Sequence, residues 1–194
     1  YDSGQAALVD PGFYAPSAFE KILNALETTK SSLKAILLTH THLDHQEGIS
    51  LLQEHFGPIP VYVHDLEQAR VKAHNVQVLG SSFSLDSINL QVIFTPGHSP
   101  GHVSFYLPEQ KIVIVGDVVA GYGSTWIGLP DGNYNDYFSS LELLNTLKLN
   151  TLAPGHGPMI ANPYEKLAEV KAHRLKRLEQ VLEALDNPLN LTTL

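Results

Sequence analysis

Cysteine is absent from the 194 residues, and methionine and tryptophan occur once each. Such a chain can build neither a disulfide framework nor a thiolate metal site, so any tight metal site must draw on histidine and carboxylate. The lack of cysteine leaves the compartment open, and the cytoplasm is the default expectation. Basic residues are scarce: 12 Lys and Arg against 20 Asp and Glu give a formal net charge of −8. This balance argues against non-specific nucleic-acid binding, which needs a basic surface. No apolar run approaches the ~18 residues of a membrane span, so no membrane association is expected. There is no signal-peptide pattern. The chain opens at Tyr1, directly into "YDSGQAALVD", and reads as a piece of a longer protein.

What is present is an ordinary globular composition, 43% hydrophobic and 16% charged, with length enough for one cored domain. "AALVD" reads as a short strand ending at Asp10, before the turn at Pro11-Gly12. "SAFEKILNALETT" reads as a helix. Ser17 and Glu20 stand at capping-box spacing, and Phe19, Ile22, Leu23 and Leu26 share a face. "KAILLTH" is apolar throughout, as in a strand covered on both faces. A helix with Ile49, Leu52 and Phe56 inward follows, stopped by Gly57-Pro58. "PVYVH" predicts a strand and "DLEQARVKA" a short helix. "FSLDSINLQVIFTPG", "HVSFYL" and "KIVIVGD" are β-rich, with "PEQ" as a tight connection. "DYFSSLELLNTLK" is helical, "LNTLAPGHG" holds a last short strand, and "PYEKLAEVKAHRLKRLEQVLEAL" is a long helix with Pro163 near its first turn. Strand–helix alternation around β hairpins predicts layered α/β sheets with helices outside. The domain is expected to span residues 1–187, with 188–194 a tail leading toward a further C-terminal region.

Chemistry concentrates in "LTHTHLDHQEG", where His40, His42, Asp44 and His45 crowd behind an aliphatic run. Three more polar residues share that context: His98 in "FTPGHSPGH", Asp117 in "IVIVGD" and His156 in "LAPGHG". Each sits at or just beyond the C-terminal end of a predicted strand, where open α/β sheets collect ligand-binding loops. A catalytic zinc takes about three protein ligands and keeps a place for water. Seven side chains therefore serve two metals if one carboxylate bridges. A nitrogen–oxygen set without sulfur suits Zn2+ first, then Mn2+ or Fe2+. His55, His64, His74 and His173 read as structural or solvent-facing. His102 reads either as a partner of the ligands or as a packing residue.

"LVDPG", "THTHLDHQEG", "TPGHSPGH", "VGD" and "PGHG", in that order, resemble the metallo-β-lactamase superfamily in its glyoxalase II-like branch. The resemblance runs from about Leu8 to Pro158. It implies an α/β, four-layer αββα sandwich with the metals at one sheet edge, here without a strand or two of the N-terminal sheet. It implies that His40, His42 and His98 bind one metal, that Asp44, His45 and His156 bind a second, and that Asp117 bridges. Asp10 is implied to orient a ligand.

The implied chemistry is hydrolysis. A hydroxide bridging two Zn2+ ions and steered by the catalytic pair Asp44 and Asp117 attacks an ester, thioester, lactone or phosphodiester. Tyr122, Tyr134 and Tyr137 stand near the expected mouth, as substrate contacts or as packing. A mononuclear iron sulfur dioxygenase of the same fold, and a non-catalytic metal-holding or interaction domain, are the rival readings. The segment from Gly116 through the "HRLKRLEQVLEAL" helix also resembles a bacterial group related to a β-lactamase-like endoribonuclease, which would act on single-stranded RNA. Five of the 12 Lys and Arg lie between Lys166 and Arg177. They read as phosphate contacts or, preferably, as a solvated face, since Glu165, Glu169 and Glu179 interleave with them. A small-molecule substrate is the expected partner, with RNA as the alternative. The aliphatic stripe Leu178, Val181, Leu182 and Leu185 predicts a contact with a second copy of the chain or with a further domain.

Overall fold

The computed structural model describes residues 1–186. Its elements run in the order β1 (Gln5–Val9), α1 (Pro16–Thr28), β2 (Ser32–Leu37), α2 (Leu43–Gln46), α3 (Ile49–Phe56), β3 (Val61–Val63), a 3₁₀ helix (Asp65–Arg70), β4 (Val76–Val78), β5 (Ser82–Leu85), β6 (Ile88–Phe94), β7 (Val103–Leu107), β8 (Ile112–Gly116), α4 (Tyr134–Thr146), β9 (Thr151–Pro154) and α5 (Pro163–Asp186). The first sheet has the order β1-β2-β3-β4 and is parallel throughout. The second has the order β5-β6-β7-β8-β9 and is antiparallel except where β8 meets β9. Because β6 and β8 both run against β7, the strands β6, β8 and β9 point the same way. Their C-terminal ends share one edge.

Side-chain alternation sorts the apolar residues into three seams. Leu37 of β2 enters the seam between the sheets with Leu90, Val103 and Phe105. Its neighbours Ile36 and Leu38 face the other way, against Ile49 and Leu52 and the α1 residues Phe19, Ile22 and Leu26. Leu33 would share a side with Leu37 by strict alternation. A register shift opposite Ala6 and Ala7 lets β2 carry one extra residue, Lys34, and turns Leu33 toward the helices. The third seam joins Val113, Val115 and Leu152 to Tyr137, Leu141 and Leu144 of α4 and Leu167 of α5. The layers are therefore helix, sheet, sheet, helix, the αββα order that the family resemblance implies. Leu52 and Leu144 are fully buried, and truncating such a leucine to alanine costs about 2–5 kcal/mol.

Several local expectations are corrected. Helix α1 begins at Pro16 with Ala15 as its N-cap and no side-chain cap, so Ser17 and Glu20 form no capping box. Proline at the first helical position has no N–H to satisfy and carries the helical φ already. Phe56 is 36% exposed rather than inward, because α3 ends there at Gly57. "DLEQARVKA" yields a 3₁₀ helix only as far as Arg70. Strand β4 went unforeseen: three residues with Val78 half exposed at a sheet edge leave almost no alternation to read. The tail 188–194 lies outside the described residues. Among those described, Val181, Leu182 and Leu185 are exposed on α5, and no helix is long and apolar enough to cross a membrane.

Candidate metal centre

All seven ligand candidates singled out in the sequence, and Asp10 with them, converge at the shared edge of the two sheets. Asp10 follows β1; His40, His42, Asp44 and His45 follow β2; His98 follows β6; Asp117 follows β8; His156 follows β9. Two groups have ligand atoms within 4.8 Å of one another, His40 with His42 and His98, and Asp44 with His45 and His156. Asp10, His40 and His45 also meet that spacing. The Asp10 oxygens, however, are already engaged. Oδ1 accepts the Thr39 N–H at 2.8 Å, and Oδ2 accepts the Thr39 hydroxyl at 2.7 Å and His45 Nδ1–H at 2.9 Å. Asp10 holds this position with a left-handed φ of 49°.

Hydrogen-bond partners fix which ring nitrogens face inward. The Thr39 hydroxyl gives its proton to Asp10, so its oxygen accepts from His40 Nδ1–H at 3.0 Å. His98 Nδ1–H donates to the Trp126 carbonyl at 2.7 Å. Both Nε2 lone pairs then point into the site, 3.2 Å apart. His42 turns Nε2 toward Asp131 Oδ2 at 3.5 Å and presents Nδ1 to His98 Nε2 at 2.8 Å. Lone pairs this close repel unless a cation lies among them. Burial, reinforced by the neighbouring histidines, pushes His40 well below the usual imidazole range, and burial lowers His98 as well. Both are therefore neutral, as metal ligation requires.

The second group is set by charge rather than by neutral rings. His45 Nε2 is buried with no hydrogen-bond partner among the described residues, while Asp117 Oδ1 and Asp44 Oδ2 lie 3.4 Å and 3.8 Å away. Burial pushes the His45 imidazole down, but Asp10 and Asp117 outweigh it and raise it to about 10. The surroundings thus favour positive charge at Nε2, whether a proton or a metal ion carries it. His156 Nε2 lies 3.0 Å from Asp44 Oδ2 and 3.6 Å from Asp117 Oδ2. Asp117 Oδ2 also lies 3.6 Å from His98 Nε2, so this carboxylate touches both groups. Burial raises its pKa, yet His45, His98 and His156 together hold it below the ordinary value. The residues present fit divalent-cation binding.

Backbone geometry permits the approach. Gly116 has φ of 48°, and a Cβ there would meet His102 Nε2 and Thr39 Oγ1 at 2.6 Å. A Cβ on Gly155 would meet Asp117 Oδ1 and His45 Cε1 at 2.7 Å.

The remaining candidates separate clearly. His102 is fully buried; its Nε2 accepts the Asp117 backbone N–H at 3.1 Å, and its Nδ1–H donates to Thr95 at 3.0 Å. Burial drives its pKa down to about 3. It is a neutral brace beneath Asp117. Tyr137 is buried and donates to the Val118 carbonyl at 2.7 Å, and Tyr134 packs on the same core. Only Tyr122 of the three tyrosines is open to solvent. Among the described residues, His55, His64, His74 and His173 join no metal-capable group. The basic run splits: Arg174 is buried, reaches the Thr125 carbonyl and lies 5.6 Å from the Tyr137 ring centroid. Lys166 pairs with Glu169 and Lys171 with Glu142.

Sequence reasoning missed Thr39, Glu67, Arg70 and Asp131. Glu67 is fully buried and accepts from the Thr41 hydroxyl and, at 3.0 Å, from the Gly101 N–H. It ties the first histidine loop to the His98 loop. Thr39 was visible as the threonine before His40; the others lie in stretches that read as a surface helix and a turn.

The chain belongs to the metallo-beta-lactamase superfamily, whose pattern matches residues 1–156. It is 31% identical to Beta-lactamase-like protein 2 homolog of Caenorhabditis elegans, over 96% of this chain and 64% of that protein. It is 32% identical to the atrochrysone carboxyl ACP thioesterase of Aspergillus fumigatus, over 93% of this chain and 56% of that one. With the hydroxyacylglutathione hydrolase GloC of Haemophilus influenzae it shares 31% identity, over 85% and 86% of the two chains. Among solved structures, a metallo-beta-lactamase family protein from Thermus thermophilus superposes with a TM-score of 0.81 at 27% identity, over 95% of this chain and 75% of that one. TTHA1623, solved in a di-iron-bound form, gives 0.67 at 33% identity over 81% and 84%. The chain spans between half and two thirds of the length of most curated relatives it matches.

Proposed function

We propose that this chain is a binuclear metal-dependent hydrolase acting on thioesters, with zinc as its metal. The observation that carries the reading is the inward convergence of His40 and His98 nitrogens left as lone pairs because their opposite ring nitrogens donate to Thr39 and Trp126, together with the orphaned His45 Nε2. His40, His42 and His98 would hold one ion, Asp44, His45 and His156 the other, with Asp117 shared between them. A divalent pair supplies Lewis acidity and lowers the pKa of water between the ions. Asp117 and Asp44 would orient that water, and one of the two carboxylates would accept the single proton it loses on attack, while His102 keeps the Asp117 backbone in place. His156 is half exposed and His42 about one third exposed, so substrate would enter from their side. Tyr122, Trp126 and Met159 stand open to solvent on loops bonded to the site, which suits an apolar acyl group more than a polyanion.

Two relatives, the acyl-carrier-protein thioesterase and the hydroxyacylglutathione hydrolase, are named for thioester cleavage, and this supports thioesters over lactones and esters. The burial of Arg174 and the carboxylate pairing of Lys166 and Lys171 weaken the RNA reading. Elemental analysis of protein made in metal-replete medium, with a panel of thioesters, lactones, phosphodiesters and short RNA, tests the proposal. Two zinc ions per chain and fastest turnover of a thioester are expected. One iron with no zinc would refute the binuclear zinc assignment, and fastest cleavage of RNA would refute the substrate class.

A further inference from the structure

The loop between β8 and α4 does more than frame the mouth. Its Trp126 carbonyl accepts a hydrogen bond from His98 Nδ1–H at 2.7 Å, and its Asp131 carboxylate faces His42 Nε2 at 3.5 Å. Two of the three histidines of one group are thus oriented by a single loop. That loop is fastened at both ends of the contact. Arg70, at the end of the 3₁₀ helix, grips Asp131 through two parallel hydrogen bonds of 2.8 Å. Asn133 N–H donates to the Gly97 carbonyl at 2.9 Å, next to His98. A bidentate guanidinium–carboxylate pair fixes direction as well as charge. The Arg70 guanidinium, more than the adjacent His42, holds Asp131 below the usual carboxylate range. The pair also joins the first sheet's 3₁₀ helix to a loop of the second sheet, and Arg70 Nη1 lies 3.9 Å from the buried Glu67 carboxylate.

We infer that Asp131, clamped by Arg70, is a positioning residue that sets the metal affinity of the three-histidine position by holding His42 with Nδ1 facing inward. The inference rests on the metal-binding reading above. Its selectivity follows from contact: among the described residues, the second group, Asp44, His45 and His156, makes no hydrogen bond or ion pair with Asp131 or Arg70. Loss of such an outer carboxylate typically weakens metal binding ~10–100-fold. Arg70 acts one bond further away, so its removal has the smaller effect.

Titration of the full chain, stripped of metal, with Co2+ and Zn2+ against a competing chelator tests this. Two backgrounds isolate the positions: His156→Ala leaves the three-histidine site, and His42→Ala leaves the other. In the first background, Asp131→Ala should weaken binding about 10–100-fold and change the visible spectrum of bound Co2+. Asp131→Asn, which keeps an acceptor oxygen, should fall between, and Arg70→Met should weaken binding less than Asp131→Ala. In the second background, none of the three should change affinity. Equal affinity of Asp131→Ala and its parent in the first background overturns the inference. So does an equal loss in both backgrounds, which would mark a general scaffold role. A wild-type chain that takes up no metal overturns the metal reading itself, and the inference with it.

Discussion

Replacing Gly155 by alanine adds one methyl group at the point where the two ligand groups meet. Its Cβ would lie 2.7 Å from Asp117 Oδ1 and 2.7 Å from His45 Cε1. That is about 0.7 Å short of the 3.4 Å at which ordinary van der Waals contact begins. Neither neighbour yields freely. His45 is bound to Asp10, and the Asp117 backbone is bound to His102. The strain is therefore resolved by moving the Asp117 carboxylate, the His45 ring or the whole "PGHG" loop. Overpacking of this kind costs about 1–3 kcal/mol of stability. A displacement approaching 1 Å at reacting groups lowers turnover ~100-fold, equivalent to about 2.7 kcal/mol of barrier. The expectation for Gly155→Ala is a loss of kcat of this order, lowered occupancy of the metals, and only a modest fall in melting temperature. Gly80→Ala is the matched control, since its nearest new contact is 3.8 Å away. Turnover and metal content should be measured for both variants beside wild type. Wild-type values of both for Gly155→Ala would refute the close packing of His45 and Asp117 on which the shared-ligand argument depends.

Asp117→Ala should reduce hydrolysis by orders of magnitude and lower metal occupancy, whereas His74→Ala should change neither; the reverse pattern in elemental analysis would show the ligand set to be misassigned. A pH series on stability probes His102. Its folded pKa of about 3 lies below the unfolded value of 6.5, so the unfolded chain binds the extra proton between those limits. Stability should fall as pH drops from 6.5 toward 3, and His102→Asn should flatten that slope by up to about 1.4 kcal/mol per pH unit. Denaturant melts across that range, with an unchanged slope in the variant, would show that His102 is not held neutral.

Layered sheets with helices outside, and the gathering of seven polar candidates at strand ends, were legible because both depend on strong local signals; the αββα order came with the family resemblance. Apolar runs such as "KAILL" and "IVIV" mark covered strands, and the Gly and Pro turns behind them mark where side chains gather. Asp10 could be read as the end of the first strand, but its orienting role came only with the family resemblance, and its bonds to Thr39 and His45 are seen in the structure. What stayed hidden depends on contacts across long sequence separations. Nothing near Asp131 in "GLPDGN" signals that Arg70, 61 residues earlier, will clamp it. Nothing in the "HRLKR" run tells Arg174, buried over Tyr137, from Lys171 at the surface. The capping box at Ser17 failed for a different reason: a proline one position earlier already starts the helix.

The centre draws Asp10, His40, His42, Asp44 and His45 from the first sheet and His98, Asp117 and His156 from the second. This division has a consequence for how the chain acquires its structure. The four ligand candidates of "HTHLDH" are synthesised before His98 and His156, and neither group can be completed until a strand more than fifty residues later has docked beside them. Closing so long a loop is slow and entropically unfavourable until packing rewards it. A metal held by residues of both sheets would therefore be captured at the last stage of folding. Ions bound only by the docked state stabilise it in proportion to the logarithm of their concentration, acting as rivets between two sheets that hydrophobic contact alone must first bring together.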